Sequence, residues 1–356
     1  MPTIKSFFTL LLLPLLLFTT FAHAASPSLD GAAVSMGGGT YPRATRLSDN
    51  SLLGVTTTFS SGTNIITIVR STDDGLTWTP HGEVTRGVGD IDNGFLLQLP
   101  NGRMLCAFRN HSKDAAGAYT IYRITVCVSS DNGKTWAYLS TPETASPPNG
   151  LWEPFMRIGN DGRIQMYYSR ELASDDQDNL VRFSSDGGAN WSASSVISGS
   201  GITSRDGMVG VAKFNDGTDR LIAVFETTEG GSATGPFKIK AVTSSDDGAS
   251  WGNRQAVFEA TGSNNNAGAP QVANVGGNLV VSFMTDEDTG LHQWVSGAAA
   301  KIMVSATMAE GSVTWENKLT VGGVQSNWPG LMTIDNSHVM VMYDNGGAKS
   351  QRVVLK

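Results

Sequence analysis

The chain has 356 residues, of which 40% are hydrophobic and 16% are charged, so it is long enough and apolar enough to bury a large core. Its formal net charge of −7 and the lack of a basic run argue against a nucleic-acid partner, because nucleic-acid binding needs clustered Lys and Arg. The 41 glycines and the scarcity of helix-forming runs predict many short strands joined by tight turns, which is an all-β fold.

The first 24 residues are typical of a secretory signal peptide. Lys5 supplies a basic start, residues 7–21 form an apolar core, and Ala22-His23-Ala24 gives the small-x-small pattern of a cleavage site. A membrane anchor is the alternative, but the apolar core is shorter than the roughly 20 residues that span a bilayer. We therefore predict a secreted, extracellular protein that spans residues 25–356 and leaves the membrane after cleavage.

A Ser-x-Asp-x-Gly-x-x-Trp sequence occurs four times, at residues 71–78, 129–136, 184–191 and 244–251. A fifth copy, from Ser305 to Trp315, keeps the Gly and the Trp but has lost the Asp. Asp and Ser side chains at such a turn bond to nearby backbone amides, the Gly takes a positive φ, and the Trp fills the space between two strands. These are Asp-box (BNR) repeats, whose role is structural, and their spacing fits one four-stranded propeller blade per copy.

A second repeat counts the blades. Each copy is an apolar strand, a polar turn and another apolar strand, and the copies lie at residues 43–55, 95–109, 155–171, 208–226, 271–285 and 330–344. Little chain follows the last copy, so we expect Asp30 to Met36 to supply the strand that closes the ring. The sequence therefore predicts a single domain, a six-bladed β-propeller without any linker.

Propeller topology brings the starts of the first strands and the ends of the second strands to one rim, and places the Asp-boxes on the opposite face. Most of the informative charged residues fall on this rim. The candidate substrate-binding residues there are Arg43, Asp92, Arg109, Trp152, Arg170, Glu171, Arg205, Asp206, Gln271, Trp328 and Tyr343.

Glu153 and Glu226 are the candidate catalytic residues. Each directly follows a bulky apolar run, so each carboxyl group faces partial desolvation, which raises its pKa. Two carboxyl groups on either side of a bond are the minimal apparatus for glycoside hydrolysis. The five histidines are scattered, so we predict no metal and no cofactor, and no Gly-x-Ser-x-Gly elbow supports a Ser-His-Asp triad. Cys106 and Cys127 could form one bridge or remain two buried thiols.

Several stretches resemble the fungal exo-arabinanases of glycoside hydrolase family 93, namely residues 150–154, 168–171, 202–207, 223–226 and 266–271. The resemblance implies retaining cleavage of α-1,5-linked arabinan from chain ends with release of arabinobiose. It also implies that Glu153 is the acid/base and Glu226 the nucleophile, with their carboxyl groups about 5–5.5 Å apart. The chain departs from the family at Trp328, where a functional tyrosine is expected. Tyr343, one strand later, is the candidate replacement.

Two alternatives stay open: a sialidase-like or other exo-glycosidase, and a non-catalytic carbohydrate-binding propeller. A sialidase needs three convergent arginines for its substrate's carboxylate, and here Arg43 and Arg205 could supply two, whereas the inner strand of blade five offers none. A non-catalytic carbohydrate-binding propeller is the other, although such a protein has no need of two partly desolvated glutamates. In each case the expected partner is a glycan, such as arabinan or a related plant cell-wall polysaccharide, and we expect a monomer.

Overall fold

The computed structural model describes residues 24–232, 235–262, 264–290, 293–309 and 311–356. These residues form 24 β-strands in six four-stranded antiparallel sheets, and none of them is helical. Within this part of the chain there is accordingly no helix that could cross a membrane. The predicted signal peptide lies, but for Ala24, outside the described residues.

Each sheet is one blade, built from four strands that follow one another along the chain except in blade six, which takes its outer strand from the N-terminal end. In chain order, the strands are β1 (Pro27–Gly37); β2 (Thr40–Arg46), β3 (Leu52–Ser60), β4 (Thr63–Ser71) and β5 (Thr79–Gly87) of blade one; β6 (Asp90–Gln98), β7 (Met104–Lys113), β8 (Tyr119–Ser129) and β9 (Ala137–Ala145) of blade two; β10 (Leu151–Ile158), β11 (Ile164–Ala173), β12 (Asp176–Ser184) and β13 (Ser195–Ser198) of blade three; β14 (Gly207–Lys213), β15 (Leu221–Thr227), β16 (Lys238–Ser244) and β17 (Gly252–Phe258) of blade four; β18 (Ala267–Val275), β19 (Asn278–Thr285), β20 (Ala299–Ala309) and β21 (Ser312–Val324) of blade five; and β22 (Asn327–Thr333), β23 (His338–Asp344) and β24 (Ala348–Leu355) of blade six. The prediction of an all-β, six-bladed propeller is confirmed.

The ring closes through β1, which pairs antiparallel with β24 and places Asp30 opposite Arg352. Two further backbone hydrogen bonds, of 2.8 and 3.0 Å, join Ser26 to Lys356. The first and last strands thus share one sheet, as the sequence predicted for Asp30 to Met36. Blade six can form only when both ends of the domain are present.

The hydrophobic core lies between neighbouring blades. Between blades four and five, for example, Val224 and Ile239 pack with Leu279 and Phe283 in one buried cluster. Inner strands are covered on both faces, which explains why they read as continuous apolar runs rather than alternating ones.

The two cysteines belong to blade two and lie in the core between blades one and two. Cys106 on β7 and Cys127 on β8 stand directly opposite each other in the register, and both are buried, free thiols. Of the two alternatives that the sequence left open, the structure has the unbridged one.

The Asp-boxes join the third strand of a blade to the fourth, at the end of the propeller opposite the rim. In the first copy the Asp73 carboxylate accepts hydrogen bonds from the Thr77 amide (2.9 Å) and hydroxyl (2.6 Å), while Ser71 Oγ accepts one from the Gly75 amide (2.8 Å). Gly75 has φ of +81°, which is why a glycine is required there.

At the rim, every first strand carries the same irregularity. The pairing with the second strand shifts register just after the strand begins, and the residue at the shift has a positive φ between 27° and 54°. We call these six residues the rim ring: Tyr41, Asn93, Glu153, Met208, Ala269 and Trp328. A left-handed backbone at a residue other than glycine costs on the order of 1 kcal/mol or more, and such strain concentrates at functional sites.

Candidate active site

Glu153 is the rim-ring residue of blade three. Its side chain is 17% exposed, and its Oε1 lies 3.7 Å from Nη1 of Arg109 on blade two. Burial raises the pKa of Glu153 to about 8; Arg109 opposes the shift, while Glu226 and Asp92 add to it. Glu153 therefore holds a proton near neutral pH, and it has a cation beside it once the proton has left.

Glu226 reaches the rim from blade four, near the end of β15, where it pairs with Gly207. Its Oε2 accepts a 2.7 Å hydrogen bond from the backbone amide of Ala269, the rim-ring residue of blade five. Burial raises the pKa of Glu226 to about 7. The hydrogen bond from the Ala269 amide and the more distant Arg205 both act to lower the pKa, but burial has the larger effect. A hydrogen bond from an N–H group favours the charged carboxylate, so Glu226 loses its proton more readily than Glu153.

Glycine makes room for the Glu226 carboxylate. A Cβ atom at Gly268 would lie 2.5 Å from Oε2 of Glu226 and 3.0 Å from the ring of Trp294. Any larger residue would displace one of the two. Trp294, which comes from the connection between β19 and β20, therefore lies beside the carboxyl group and helps to exclude water from it.

An acidic pair holds Arg109 in place. Its Nη2 lies 3.2 Å from Oδ1 of Asp90 and 3.1 Å from Oδ2 of Asp92, and the guanidinium group is only 12% exposed. Asp90 is fixed in turn by the hydroxyl of Tyr119, at 2.8 Å. Because Asp90 and Asp92 both form ion pairs with this one cation, Arg109 is already neutralised without a ligand.

The other side of the rim ring is aromatic and apolar. Tyr41 and Trp328 stack with their ring centroids 4.7 Å apart, and they join Met208, Ala269 and Trp294 in one hydrophobic cluster. Ala269 and Trp294 of this cluster also lie beside Glu226. Carboxyl groups next to aromatic faces suit a sugar ring, which has both hydroxyl groups and apolar faces.

Two more of the predicted residues lie close to this centre, Arg43 and Trp152. Arg43 is buried and donates to the carbonyl oxygens of Pro42 (2.9 Å) and Trp328 (3.0 Å), so it ties blade one to blade six. Burial lowers the pKa of Arg43 to about 10. Trp152 is half-buried, with the Arg109 guanidinium 5.3 Å from its ring centroid.

Three further predicted residues lie on the rim of blades three and four: Glu171, Arg205 and Arg170. Glu171 and Arg205 form an ion pair. Glu171 accepts a hydrogen bond from Arg205 (2.8 Å) and one from the Gly150 amide (2.7 Å). Arg170 stands opposite Asp178 in the register, and its buried Nε has no hydrogen-bond partner among the described residues. These residues flank the two glutamates and form the outer part of the predicted site.

The structure corrects the predicted roles of three residues. Asp206 is fully buried, and its two carboxylate oxygens bind Arg254 at 2.6 and 2.9 Å, so it braces blade four instead of facing a substrate. Tyr343 is 5% exposed and packs in the hydrophobic cluster between blades five and six, so it cannot replace the missing tyrosine. Gln271 is 6% exposed and packs against Gly210, between blades four and five.

Three residues of the site were missed by the sequence analysis: Tyr41, Asp90 and Trp294. Tyr41 and Asp90 do stand at starts of first strands, so the rim rule that selected Arg43 and Asp92 could also have selected them. Trp294 lies in a connection without a repeat, and nothing in the sequence places it over Gly268. Among the described residues, no cluster of three or more His, Cys, Asp or Glu side chains could hold a metal ion.

Comparison with known proteins agrees with this architecture. The family model described as a BNR repeat-like domain matches residues 51–211. No curated protein matches in sequence.

Several solved structures share the fold. The family 93 α-L-arabinofuranosidase of Fusarium graminearum, solved with arabinobiose, is 22% identical over 91% of this chain and 98% of its own, with a TM-score of 0.73. An α-L-arabinanase of Penicillium chrysogenum, also complexed with arabinobiose, is 20% identical over 91% and 98%, with a TM-score of 0.71. The NanB sialidase of Streptococcus pneumoniae is 11% identical over 92% of this chain and 70% of its own, with a TM-score of 0.58. The predicted resemblance to the family 93 propellers is thus confirmed at the level of the fold, which this chain shares with both arabinan-type hydrolases and sialidases.

Proposed function

We propose that this protein is a secreted glycoside hydrolase that removes arabinobiose from the ends of α-1,5-linked arabinan with retention of configuration. The observation that carries the proposal is the pair Glu153 and Glu226. The two carboxyl groups come from consecutive blades, both are desolvated, and they are close enough that Glu226 raises the pKa of Glu153. Secretion is proposed from residues 1–24, and a monomer from the closed ring of blades.

The surroundings of the two glutamates support different roles for them. Glu153 has the higher pKa and therefore protonates the glycosidic oxygen as the bond to the sugar carbon breaks. Glu226, whose charged form is favoured by the Ala269 amide, attacks that carbon and forms a glycosyl ester. Glu153, now a carboxylate beside Arg109, then takes a proton from a water molecule that attacks the same carbon and releases Glu226.

The charge distribution favours a neutral sugar over a sialic acid. Arg43 donates to two carbonyl oxygens, Arg109 faces three carboxyl groups, and Arg205 binds Glu171. A sialidase needs guanidinium groups that are free to bind the substrate's carboxylate. None of these three is free in that sense. The arabinobiose complexes of two proteins with the same fold support a neutral pentose unit as the substrate.

A carbohydrate-binding propeller without catalysis is the second candidate, since the aromatic side of the rim ring suits sugar binding alone. The carboxyl pair argues against it, because burying two acidic groups costs stability that a binding site has no reason to lose.

The direct test is incubation of the purified protein with linear arabinan, debranched arabinan and a sialoside, with the products separated by chromatography. We expect arabinobiose as the first and main product from both arabinans and no release of sialic acid. Random-length oligosaccharides would contradict exo-action. Binding of arabinan without any product would favour the binding propeller.

A further inference from the structure

Tyr41 packs against two neighbours in the site. The Trp328 ring stacks on it at 4.7 Å with an angle of 28°, and the Arg109 guanidinium lies 5.9 Å from its centroid. Like every other rim-ring residue, Tyr41 has a positive φ, here +50°. These contacts restrain the ring of Tyr41, and with it the position of its hydroxyl group.

Among the described residues, none forms a hydrogen bond with the hydroxyl group of Tyr41, although the ring is half-buried. Two other tyrosines do have a partner: Tyr119 donates to Asp90 and Tyr168 donates to Glu143. A phenol group that is fixed but unpaired is available to a ligand.

Tyr41 lies close enough to the charged residues of the site to interact with them electrostatically. Burial raises its pKa; Arg109 acts against this, and Asp92, Glu153 and Glu226 all add to it. Because its hydroxyl group keeps its proton, it can donate a hydrogen bond but cannot act as a nucleophile at neutral pH. In the rim ring it stands beside Trp328, which carries no hydroxyl group, and Tyr343 is enclosed in the hydrophobic cluster between blades five and six.

We propose that the Tyr41 hydroxyl group donates a hydrogen bond to the sugar unit held between Glu153 and Glu226, which makes Tyr41 a further catalytic residue. The proposal rests on the proposed function. It places the tyrosine of this active site on the first blade, whereas the resemblance to family 93 led us to expect it on the last. The bond orients the sugar while its anomeric carbon moves towards Glu226.

The test compares Tyr41→Phe with a control, Tyr343→Phe. Each substitution removes one hydroxyl group, from the half-buried ring of Tyr41 or the buried ring of Tyr343. We expect Tyr41→Phe to lower kcat/KM on linear arabinan by roughly 10- to 100-fold, the usual range for one lost hydrogen bond to a reacting group. Tyr343→Phe should stay within about twofold of wild type. The pH–rate limbs of Tyr41→Phe should not move, because the two glutamates still titrate as before.

Several results would overturn the proposal. They are a Tyr41→Phe rate within about twofold of wild type, an equal loss in Tyr343→Phe, or a shift of the pH–rate limbs that accounts for the loss. The last would mean that Tyr41 acts only through the glutamates.

A structure of Glu226→Gln with bound arabinobiose gives a readout that does not depend on the Tyr41 variant folding. The Tyr41 oxygen should lie within about 3.2 Å of a sugar oxygen. A nearest sugar atom beyond about 4 Å would refute the contact. If the wild type neither binds nor cleaves arabinan, the proposed function fails and this inference falls with it; if it cleaves arabinan but Tyr41→Phe is normal, only this inference fails.

Discussion

The two faces of the propeller treat carboxyl groups in opposite ways. On the Asp-box face, Asp186 is solvent-facing and accepts hydrogen bonds from the Asn190 amide (2.9 Å) and side chain (2.7 Å), which lower its pKa to about 2. On the rim, Glu226 accepts one backbone hydrogen bond and burial raises its pKa to about 7. The first arrangement favours the charge and stabilises a turn, whereas the second withholds solvation and makes the group reactive.

This difference separates structure from function more reliably than residue type does. The Asp-box aspartates recur in four blades with the same partners, as expected for a turn that every blade needs. The rim ring repeats its backbone in all six blades but changes its side chain in each. Identical geometry with different side chains is what a repeat protein needs to build one asymmetric site.

The largest expected effect comes from Glu226→Gln. Loss of the proposed nucleophile should lower kcat on arabinan at least about 1000-fold, because a neutral amide does not form the glycosyl ester. The matched control is Asp186→Asn, which makes the same chemical change on the other face and should keep activity within about twofold. Retention of more than about a tenth of wild-type activity by Glu226→Gln would remove Glu226 from the mechanism.

Glu153→Ala should show a loss that depends on the leaving group. An acid is needed for a sugar alkoxide to leave but hardly for a nitrophenolate, so activity should fall about 100-fold or more on arabinan and much less on a nitrophenyl arabinoside. Added azide should restore the rate on the activated substrate and give a glycosyl azide. An equal loss on both substrates without azide rescue would argue against Glu153 as the acid/base.

The pH dependence of kcat/KM should be bell-shaped and narrow, with an optimum near neutral pH. The acid limb reports the loss of the Glu226 carboxylate, whose pKa is raised to about 7, and the basic limb the loss of the Glu153 proton, whose pKa is raised to about 8. These limbs belong to the coupled pair. A broad profile with an acidic optimum near pH 4 would show that the two groups are solvated.

The carboxyl groups of Glu226 and Asp186 should change the stability of the native state in opposite directions as pH rises. For Glu226 the folded pKa exceeds the unfolded one, so the native state loses stability as pH rises from about 4.5 to about 7. Glu226→Gln should therefore raise Tm by a few degrees at pH 8 and by less at pH 5.

The folded pKa of Asp186 is below the unfolded one, so its contribution to the stability of the native state is present above about pH 4 and lost towards pH 2. Asp186→Asn should lower Tm at pH 7 but not at pH 2.

The repeats made the fold predictable from sequence. Each Asp-box and each inner hairpin is encoded within about 20 residues, so six blades, the closing strand and the rim position of Glu153 and Glu226 could all be predicted from local patterns. Contacts across the ring are different. The packing of Tyr41 on Trp328 joins the first and last blades, and no local pattern predicts which two residues of the ring meet there.

The error at Tyr343 comes from the two-residue period of a strand. Asp344 pairs with Asn327 as Glu226 pairs with Gly207, so Asp344 and Glu226 are equivalent and Tyr343 is equivalent to the fully buried Phe225. A shift of one residue turns a side chain to the other face of the sheet. Sequence alone located the end of this strand but not the register that decides which residue faces the channel.

The most direct test of the account is to identify the residue that carries the glycosyl group. Wild-type protein would be treated with an activated 2-fluoro-arabinofuranoside, which slows release of the intermediate, and its peptides analysed by mass spectrometry. We expect one added sugar on the peptide that contains Glu226, and none on the same peptide of Glu226→Gln. A label on Tyr41 or Glu153, or turnover of arabinan with inversion and no label, would contradict the assignment.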